Sequence, residues 1–113
     1  PSVLAEETNT VFDHNHETPF MFHVYKIKEE WRDKLTAVNH FDNTGRVQTL
    51  HAKQNPFYYN LVEKFYKQTG IPILLNTSFN ENEPVVETPD HAIDCFLRTK
   101  MDLLVIGDYV CSK

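Results

Sequence analysis

Two clusters of polar side chains have the composition of a ligand-binding site. The first follows an apolar run, Ile73–Leu75, and fills four of the next five positions, with Asn76, Thr77, Ser78 and Asn80. Amide and hydroxyl side chains both donate and accept hydrogen bonds. Because a buried strand holds its last residues rigidly, such groups at a strand end are preorganised to bind a substrate. Capping of loop backbone groups is the alternative role of these residue types.

The second cluster lies in NHFDNTGRVQ, residues 39–48, which pass through a turn into a predicted strand. Alternation along the strand places Thr44, Arg46 and Gln48 on one face. Arg46 is the residue best suited to a phosphate, because its planar guanidinium can engage two oxygens at once. His40 and Asp42 are candidates for orienting Arg46 or contacting a nucleotide. A hairpin with a solvated polar face is the alternative interpretation.

A third polar segment, DHNHE at residues 13–17, contains side chains of metal-binding types. His14 and His16 would face the same side of a strand. The segment is loop-like, however, and it has neither a Cys nor a partner cluster at the spacing of zinc ligands. A solvated acidic loop is therefore favoured, no metal site is predicted, and a metal-dependent hydrolase is the least favoured function.

The bulk properties of the 113-residue chain limit its partners. A net charge of −5 argues against attraction to nucleic acid or to an anionic membrane. No stretch has the length of a membrane span, and a signal peptide is not expected at the start of the chain. Cys95 and Cys111 are interpreted as core thiols in a reducing compartment, so a cytoplasmic location is expected. Since residue 1 is Pro1 rather than Met, the chain is expected to be a fragment or a processed product.

The first half of the chain is predicted to contain short elements, from its turn residues and its β-branched and aromatic composition. They are a loop or extended lead-in at 1–18, a strand at 20–27, a helical turn or excursion at 28–35, and two short strands at 36–41 and 46–52.

The second half alternates helical periodicity with apolar runs, and cap residues bound each predicted helix. The elements are a helix from Asn55 to Gly70, a buried strand at 71–75, a helix that begins at Thr88 and Pro89, and a buried strand at 102–110. The sequence therefore predicts one α/β domain over residues 1–113, with helices packed on a twisted, mixed sheet.

These segments together resemble the C-terminal domain of the NodU/CmcH-type carbamoyltransferases. HFDNTGRVQTL at 40–50 is similar to the family's H-x-D-x-T-x-R-x-Q signature, and LNTSFN at 75–80 matches its strand-end motif. The segments 1–6, 18–24 and 88–109 match as well, so the resemblance runs the length of the chain. The two motifs at this distance form a far more specific pattern than either alone. The resemblance implies a truncated YrdC-like fold.

The same resemblance implies a part of an O-carbamoyltransferase. In that family, carbamoyl phosphate and ATP react to give carbamoyladenylate, whose carbamoyl group passes to a hydroxyl acceptor. ATP is thus expected as a substrate, and a metal is expected only in a separate N-terminal domain, which is the expected partner. The alternative function is a non-catalytic domain that docks on that N-terminal domain and completes it.

The resemblance also assigns roles to residues of this sequence. Ser78 and Asn80 fit the S-x-N half of a YrdC-like site, whose K-x-R half is expected upstream of Pro1, so the fragment is expected to be inactive alone. The implied catalytic residues are Arg46, Ser78 and Asn80. The implied substrate-binding residues are His40, Asp42, Thr44, Gln48, Asn76 and Thr77.

A truncated sheet is expected to expose strand edges and apolar surface, which tend to pair with a second copy. We therefore predict a weak homodimer. Light scattering over a concentration series should give a mass that rises towards twice 13.2 kDa. A monomer that persists at high concentration would contradict this prediction.

Overall fold

A four-stranded mixed sheet organises the first two thirds of the chain. The structure is a computed structural model that describes all residues 1–113. It divides into two units, which we call the sheet unit (Pro1–Asn76) and the hairpin unit (Thr77–Lys113). The strands are β1 (Ser2–Leu4), β2 (His23–Lys26), β3 (Thr44–Leu50), β4 (Ile73–Leu74), β5 (Leu103–Ile106) and β6 (Tyr109–Ser112). The helices are α1 (Thr8–Val11), α2 (Glu29–Arg32), α3 (Pro56–Thr69) and α4 (Pro89–Arg98).

The strand order of the sheet is β2-β3-β1-β4. β1 runs parallel to β3 and antiparallel to β4, while β2 runs antiparallel to β3. The register sets Ser2 beside Gln48 on one side and beside Leu74 on the other. The predicted α/β class with a mixed sheet and helices is thereby confirmed.

The two faces of the sheet have different coverings. One face contributes Val3, Val47 and Ile73 to a buried cluster completed by the segments around α1 and α2. The members of this cluster are Val3, Val11, Phe12, Tyr25, Ile27, Leu35, Val38, Val47 and Ile73. On the opposite face, Leu4 and Leu50 pack with Val62 of α3. By the two-residue alternation of strands, Ser2, Arg46 and Gln48 belong to this second face.

Gly45 lies between Thr44 and Arg46 on β3 and faces the first cluster. A Cβ atom at this position would lie 3.2 Å from Cγ of Pro1 and 3.4 Å from Cε1 of Phe12. Contacts this short require the neighbouring groups to move, because protein interiors are packed without spare space. The absence of a side chain at residue 45 therefore allows the Phe12 ring to pack directly against β3.

Two sequence predictions about the first half of the chain are wrong. The lead-in at 1–18 contains β1, which lies inside the sheet with Ser2 and Val3 fully buried. Residues 36–41 form turns instead of a strand; Val38 is nevertheless buried in the core. Both errors have one cause: three-residue strands and buried turns are too short to show periodicity.

The segment 102–110 is a hairpin, not the single buried strand that its apolar run predicts. β5 and β6 pair antiparallel across Gly107, whose φ of +58° suits a two-residue turn and favours glycine. All four residues of β6 are exposed, including Cys111, which therefore is not the core thiol expected. Within the hairpin unit, Leu104 packs with Ala92 and Phe96 of α4.

The predicted ends of both longer helices are confirmed. The side chain of Asn55 accepts a hydrogen bond from Tyr58 N at 3.1 Å, and Gly70 ends α3 with a φ of +73°. Thr88 caps α4 in the same way, since its hydroxyl accepts from His91 N at 3.2 Å. No helix in the structure is long and apolar enough to cross a membrane.

Replacement of Asn55 measures how much the cap of α3 contributes to the stability of the fold. Asn55→Ala leaves a helix N-terminal N–H without its acceptor and should lower the free energy of unfolding by about 1 kcal/mol. Urea unfolding followed by Trp31 fluorescence measures the change. Lys53→Ala, a nearby exposed substitution without a cap to lose, should be neutral. Equal stability of the two variants would exclude a capping role for Asn55.

Candidate functional site

The side chain of Gln48 joins three strands of the sheet unit. Its carbonyl oxygen Oε1 accepts hydrogen bonds from Ser2 Oγ at 2.7 Å and from Asn76 Nδ2 at 3.0 Å. Its amide Nε2 donates to the backbone oxygen of Pro19 at 3.2 Å. Both acceptor sites of the oxygen are therefore in use, and Gln48 holds Asn76 at the end of β4 in a fixed position. The side-chain oxygen of Asn76 is left free to accept.

A chain of hydrogen bonds orders the turn before β3. The hydroxyl of Thr44 donates to Oδ1 of Asp42 at 2.7 Å, and the Thr44 backbone N–H donates to the same oxygen at 3.2 Å. These bonds from Thr44, aided by His40 nearby, lower the pKa of Asp42. Nδ1 of His40 lies 3.0 Å from the Thr44 hydroxyl oxygen. Since the Thr44 proton is already donated, Nδ1 must be the donor, which leaves Nε2 of His40 as its outward group.

Arg46 is exposed and has no hydrogen-bonded or ion-paired partner. The other two arginines of the chain are engaged. Nε of Arg32 donates to the backbone oxygen of Ile27 at 3.2 Å, while Arg98 binds carboxylates. Neither His40 nor Asp42 hydrogen-bonds to Arg46, so the predicted orienting contact is not formed. Arg46 is therefore the guanidinium that remains available for an anion.

The strand-end motif divides between the two units after Asn76. In the hairpin unit, Ser78 Oγ donates to the side-chain oxygen of Asn80. Nδ2 of Asn80 donates to the backbone oxygen of Glu83 at 2.8 Å. Asn80 thus stabilises the loop that follows it, which was the alternative role of this motif. Thr77 makes only a weak contact, from its hydroxyl to the backbone oxygen of Ser78 at 3.3 Å.

Arg98 fixes this loop from the other side through three carboxylates. Its guanidinium donates to Asp94, Glu81 and Glu83, each at 2.8 Å. These bonds raise the pKa of Arg98 further above its ordinary value. Because all three nitrogen positions are occupied, Arg98 is a structural cation of the hairpin unit. The sequence gives no signal for this arrangement, since Glu81 and Glu83 lie 17 and 15 residues away.

Ser2 is the site residue that the sequence predictions missed. It is fully buried, and its hydroxyl is one of the two donors to Gln48. The available signal was the position of Ser2 directly before two apolar residues, which is typical of a strand start but not specific.

In the segment 13–17, the rings of His14 and His16 lie 5.8 Å apart. No group of three metal-binding side chains occurs anywhere in the structure.

The fold and the polar face of β3 together define a class of domain. An α/β sheet presents an unpaired guanidinium on the same face as a fixed amide network, which is an arrangement suited to an oxyanion ligand. The chain is therefore an α/β domain with a candidate anion-binding surface on β3.

Comparison with known proteins gives the family. Residues 1–113 match the protein family described as Carbamoyltransferase C-terminus. Nodulation protein NolNO of Sinorhizobium fredii is 45% identical over 100% of this chain, which covers 17% of the relative. Nodulation protein NolO of Bradyrhizobium diazoefficiens is 42% identical over 100% of the chain and 21% of the relative.

A relative with a named activity is more distant. The 3′-hydroxymethylcephem-O-carbamoyltransferase of Amycolatopsis lactamdurans is 33% identical over 96% of this chain and 21% of its own length. The chain belongs to the family of carbamoyltransferase C-terminal domains, and the family predicted from the two motifs is confirmed. It spans about a fifth of the length of these relatives.

The loop that carries Ser78 and Asn80 should respond to pH through Glu83. Backbone N–H groups of Glu83 and Asn82, together with Arg98, lower the pKa of Glu83 to about 2 from 4.5. A carboxyl whose pKa falls on folding stabilises the fold above pH 4.5, and this contribution disappears as the pH drops through about 2. The carboxyl carbon resonance of Glu83 should therefore titrate near pH 2.

Arg98→Gln removes one of the groups that stabilise the ionised carboxylate and should move this midpoint upwards. Lys100→Gln deletes a neighbouring charge that forms no ion pair, so it should leave the midpoint in place. A Glu83 midpoint near 4.5 in the unmodified chain would show that the Arg98 network is not formed in solution.

Proposed function

We propose that this domain supplies part of the site of an O-carbamoyltransferase that binds carbamoyl phosphate and ATP. The observation that carries the proposal is the unpaired guanidinium of Arg46, two residues from the Gln48 network on the same strand. Family membership supports carbamoyl transfer, and the named activity of the Amycolatopsis relative agrees with it. ATP enters as a substrate that yields carbamoyladenylate.

Arg46 is suited to the phosphate of carbamoyl phosphate. A guanidinium can donate two parallel hydrogen bonds to phosphate oxygens, and it keeps its charge at any physiological pH. The net charge of −5 makes this local cation more important, because the field of the remaining chain repels anions. Catalysis of adenylate formation depends mainly on positioning and on electrostatic stabilisation of phosphate charge. Arg46 would provide both.

The amide and hydroxyl groups suit the carbamoyl part of the substrate. A carbamoyl group has one carbonyl acceptor and one NH₂ donor, so it requires partners of both kinds. Asn76 offers a free acceptor oxygen, and Gln48 fixes its orientation. His40, held through Thr44, presents Nε2 as a further polar group. Ser78 and Asn80 complete the set of proposed residues in the hairpin unit.

A second candidate function is a non-catalytic domain that docks on the N-terminal part of a longer chain. Exposed apolar side chains of the hairpin favour it. Leu103, Val105 and Tyr109 are 59%, 64% and 74% exposed, respectively. In this case the hairpin would be covered by the partner domain, and the polar face of β3 would bind no ligand.

Calorimetric titration distinguishes the two functions. In the whole protein, Arg46→Ala should weaken carbamoyl phosphate binding by roughly tenfold to a hundredfold, since a charge-assisted bond contributes about 1.5–3 kcal/mol. Lys64→Ala, which removes an exposed and unpaired charge from α3, is the matched control and should bind normally.

Equal affinity of Arg46→Ala and the control would overturn the assignment of Arg46 and favour the docking function. The same titration on residues 1–113 alone measures whether Arg46 forms a subsite without the K-x-R segment expected upstream. Saturable binding that Arg46→Ala abolishes would show that Arg46 forms a binding subsite within residues 1–113.

A further inference from the structure

The segment Thr18–Phe22, which directly precedes β2, is hydrogen-bonded to β3. The backbone N–H of Thr18 donates to the Thr49 hydroxyl at 3.0 Å, and the Thr49 N–H donates back to the Thr18 oxygen at 3.1 Å. The side-chain amide of Gln48 holds the next residue, Pro19, through its backbone oxygen. These bonds fix the direction in which the segment leaves β3.

Two phenylalanine rings project from this anchored segment. Phe20 and Phe22 are 71% and 80% exposed, and their ring centroids lie 6.0 Å apart. Between them Met21 has a φ of +58°, a left-handed conformation that is unfavourable for a residue with a side chain. Unfavourable backbone conformations of this kind are found preferentially at ligand-binding and active sites. The two exposed rings thus flank a residue whose backbone conformation is unfavourable.

A cavity of about 280 Å³ opens beside Phe20. Its lining includes Phe20, Gln48, Leu50, His51 and Gln54. The volume is slightly below the usual range of drug-sized ligand pockets, so it suits a single flat ring system and not a larger ligand. Leu50 and Phe20 provide apolar surface, and the polar groups of the lining can contact the edge of a ring.

Of the amides in this lining, Gln54 is the one that is free. The oxygen of Gln48 already accepts two hydrogen bonds and its nitrogen donates one. The oxygen of Asn55, also in the lining, caps α3. The side chain of Gln54 has no hydrogen-bond partner, and a free primary amide pairs with the adjacent amino donor and ring-nitrogen acceptor of adenine.

We propose that this cavity binds the adenine ring of ATP, with Phe20 stacking on the base and Gln54 bonding to its 6-amino and N7 edge. The inference rests on the proposed function, because it places the base of the proposed nucleotide substrate. Gln48 borders the cavity, and Arg46 lies two residues away on the same face of β3, a separation of roughly 7 Å. A nucleotide seated here would extend its phosphates along β3 towards Arg46.

Substitution of Phe20 in the whole protein tests the stacking contact. Phe20→Ala should weaken ATP binding by roughly tenfold to a hundredfold, the usual effect of removing an aromatic partner from a base. Carbamoyl phosphate and inorganic tripolyphosphate, which have no base, should bind with unchanged affinity. Phe57→Ala is the matched control, since Phe57 is 83% exposed and does not line the cavity.

Two further variants complete the experiment. Phe20→Trp should keep ATP affinity and should show an emission change when adenosine is added, beyond that of the single native tryptophan, Trp31. Gln54→Ala should reduce the preference for ATP over GTP by about tenfold, because guanine has no 6-amino donor.

The outcomes separate this inference from the proposed function. ATP affinity that is unchanged in Phe20→Ala overturns the adenine site, while binding that depends on Arg46 would still support the proposed function. A Phe20→Ala variant that loses association with another domain but keeps ATP affinity assigns the rings to a protein contact and also overturns the inference. Failure of the unmodified protein to bind either substrate overturns both.

Discussion

The double acceptance of hydrogen bonds by the Gln48 side chain is the interaction on which the rest of the site depends. One oxygen atom links Ser2 of β1 and Asn76 after β4, while the amide nitrogen of the same side chain fixes the segment at Pro19. The polar groups are therefore part of the sheet and do not form a flexible surface added to it. A partly buried polar network of this kind is most stabilising when all its members are satisfied. Position 48 requires an amide, because one side-chain atom must accept two hydrogen bonds while the other must donate one to the backbone oxygen of Pro19.

The arginines, like the amides, differ in whether they have hydrogen-bond partners within the protein. Arg98 is surrounded by carboxylates and stabilises the loop of the hairpin unit, whereas Arg46 has no protein partner at all. No protein carboxylate therefore competes with an external anion for Arg46. The amides show the same division, since Gln48 is saturated and Gln54 is free. Side chains with complete hydrogen bonding hold the strands and loops together, whereas Arg46 and Gln54 are exposed to solvent.

Much of the architecture was predictable because it has local signals. Asn55, Gly70 and Thr88 mark helix ends through their own backbone preferences, and alternation placed Arg46 and Gln48 on one face. The core position of β1 was not predictable, since its three residues owe their place to pairing with a strand more than 40 residues away. The apolar run at 102–110 predicts one buried strand, but Gly107 within it is a turn residue, and the chain reverses there into a hairpin. The backbone partner of Asn80 and the Glu81 and Glu83 partners of Arg98 are loop contacts that no periodicity encodes. The family motifs predicted a set of site residues, but they gave no indication of which side chains the fold leaves without a partner.

Because Gly45 has no side chain, the packing of the core bears directly on the position of Arg46, its exposed neighbour on β3. The Phe12 ring packs against the backbone of β3 at this point, and the next residue along is Arg46. A larger residue at position 45 would push the strand away from Phe12 and carry the neighbouring guanidinium with it. Such a change in packing volume would shift Arg46 while every residue of the polar face stayed as it was. The position of the Arg46 guanidinium is therefore set by the packing of the core as well as by β3 itself.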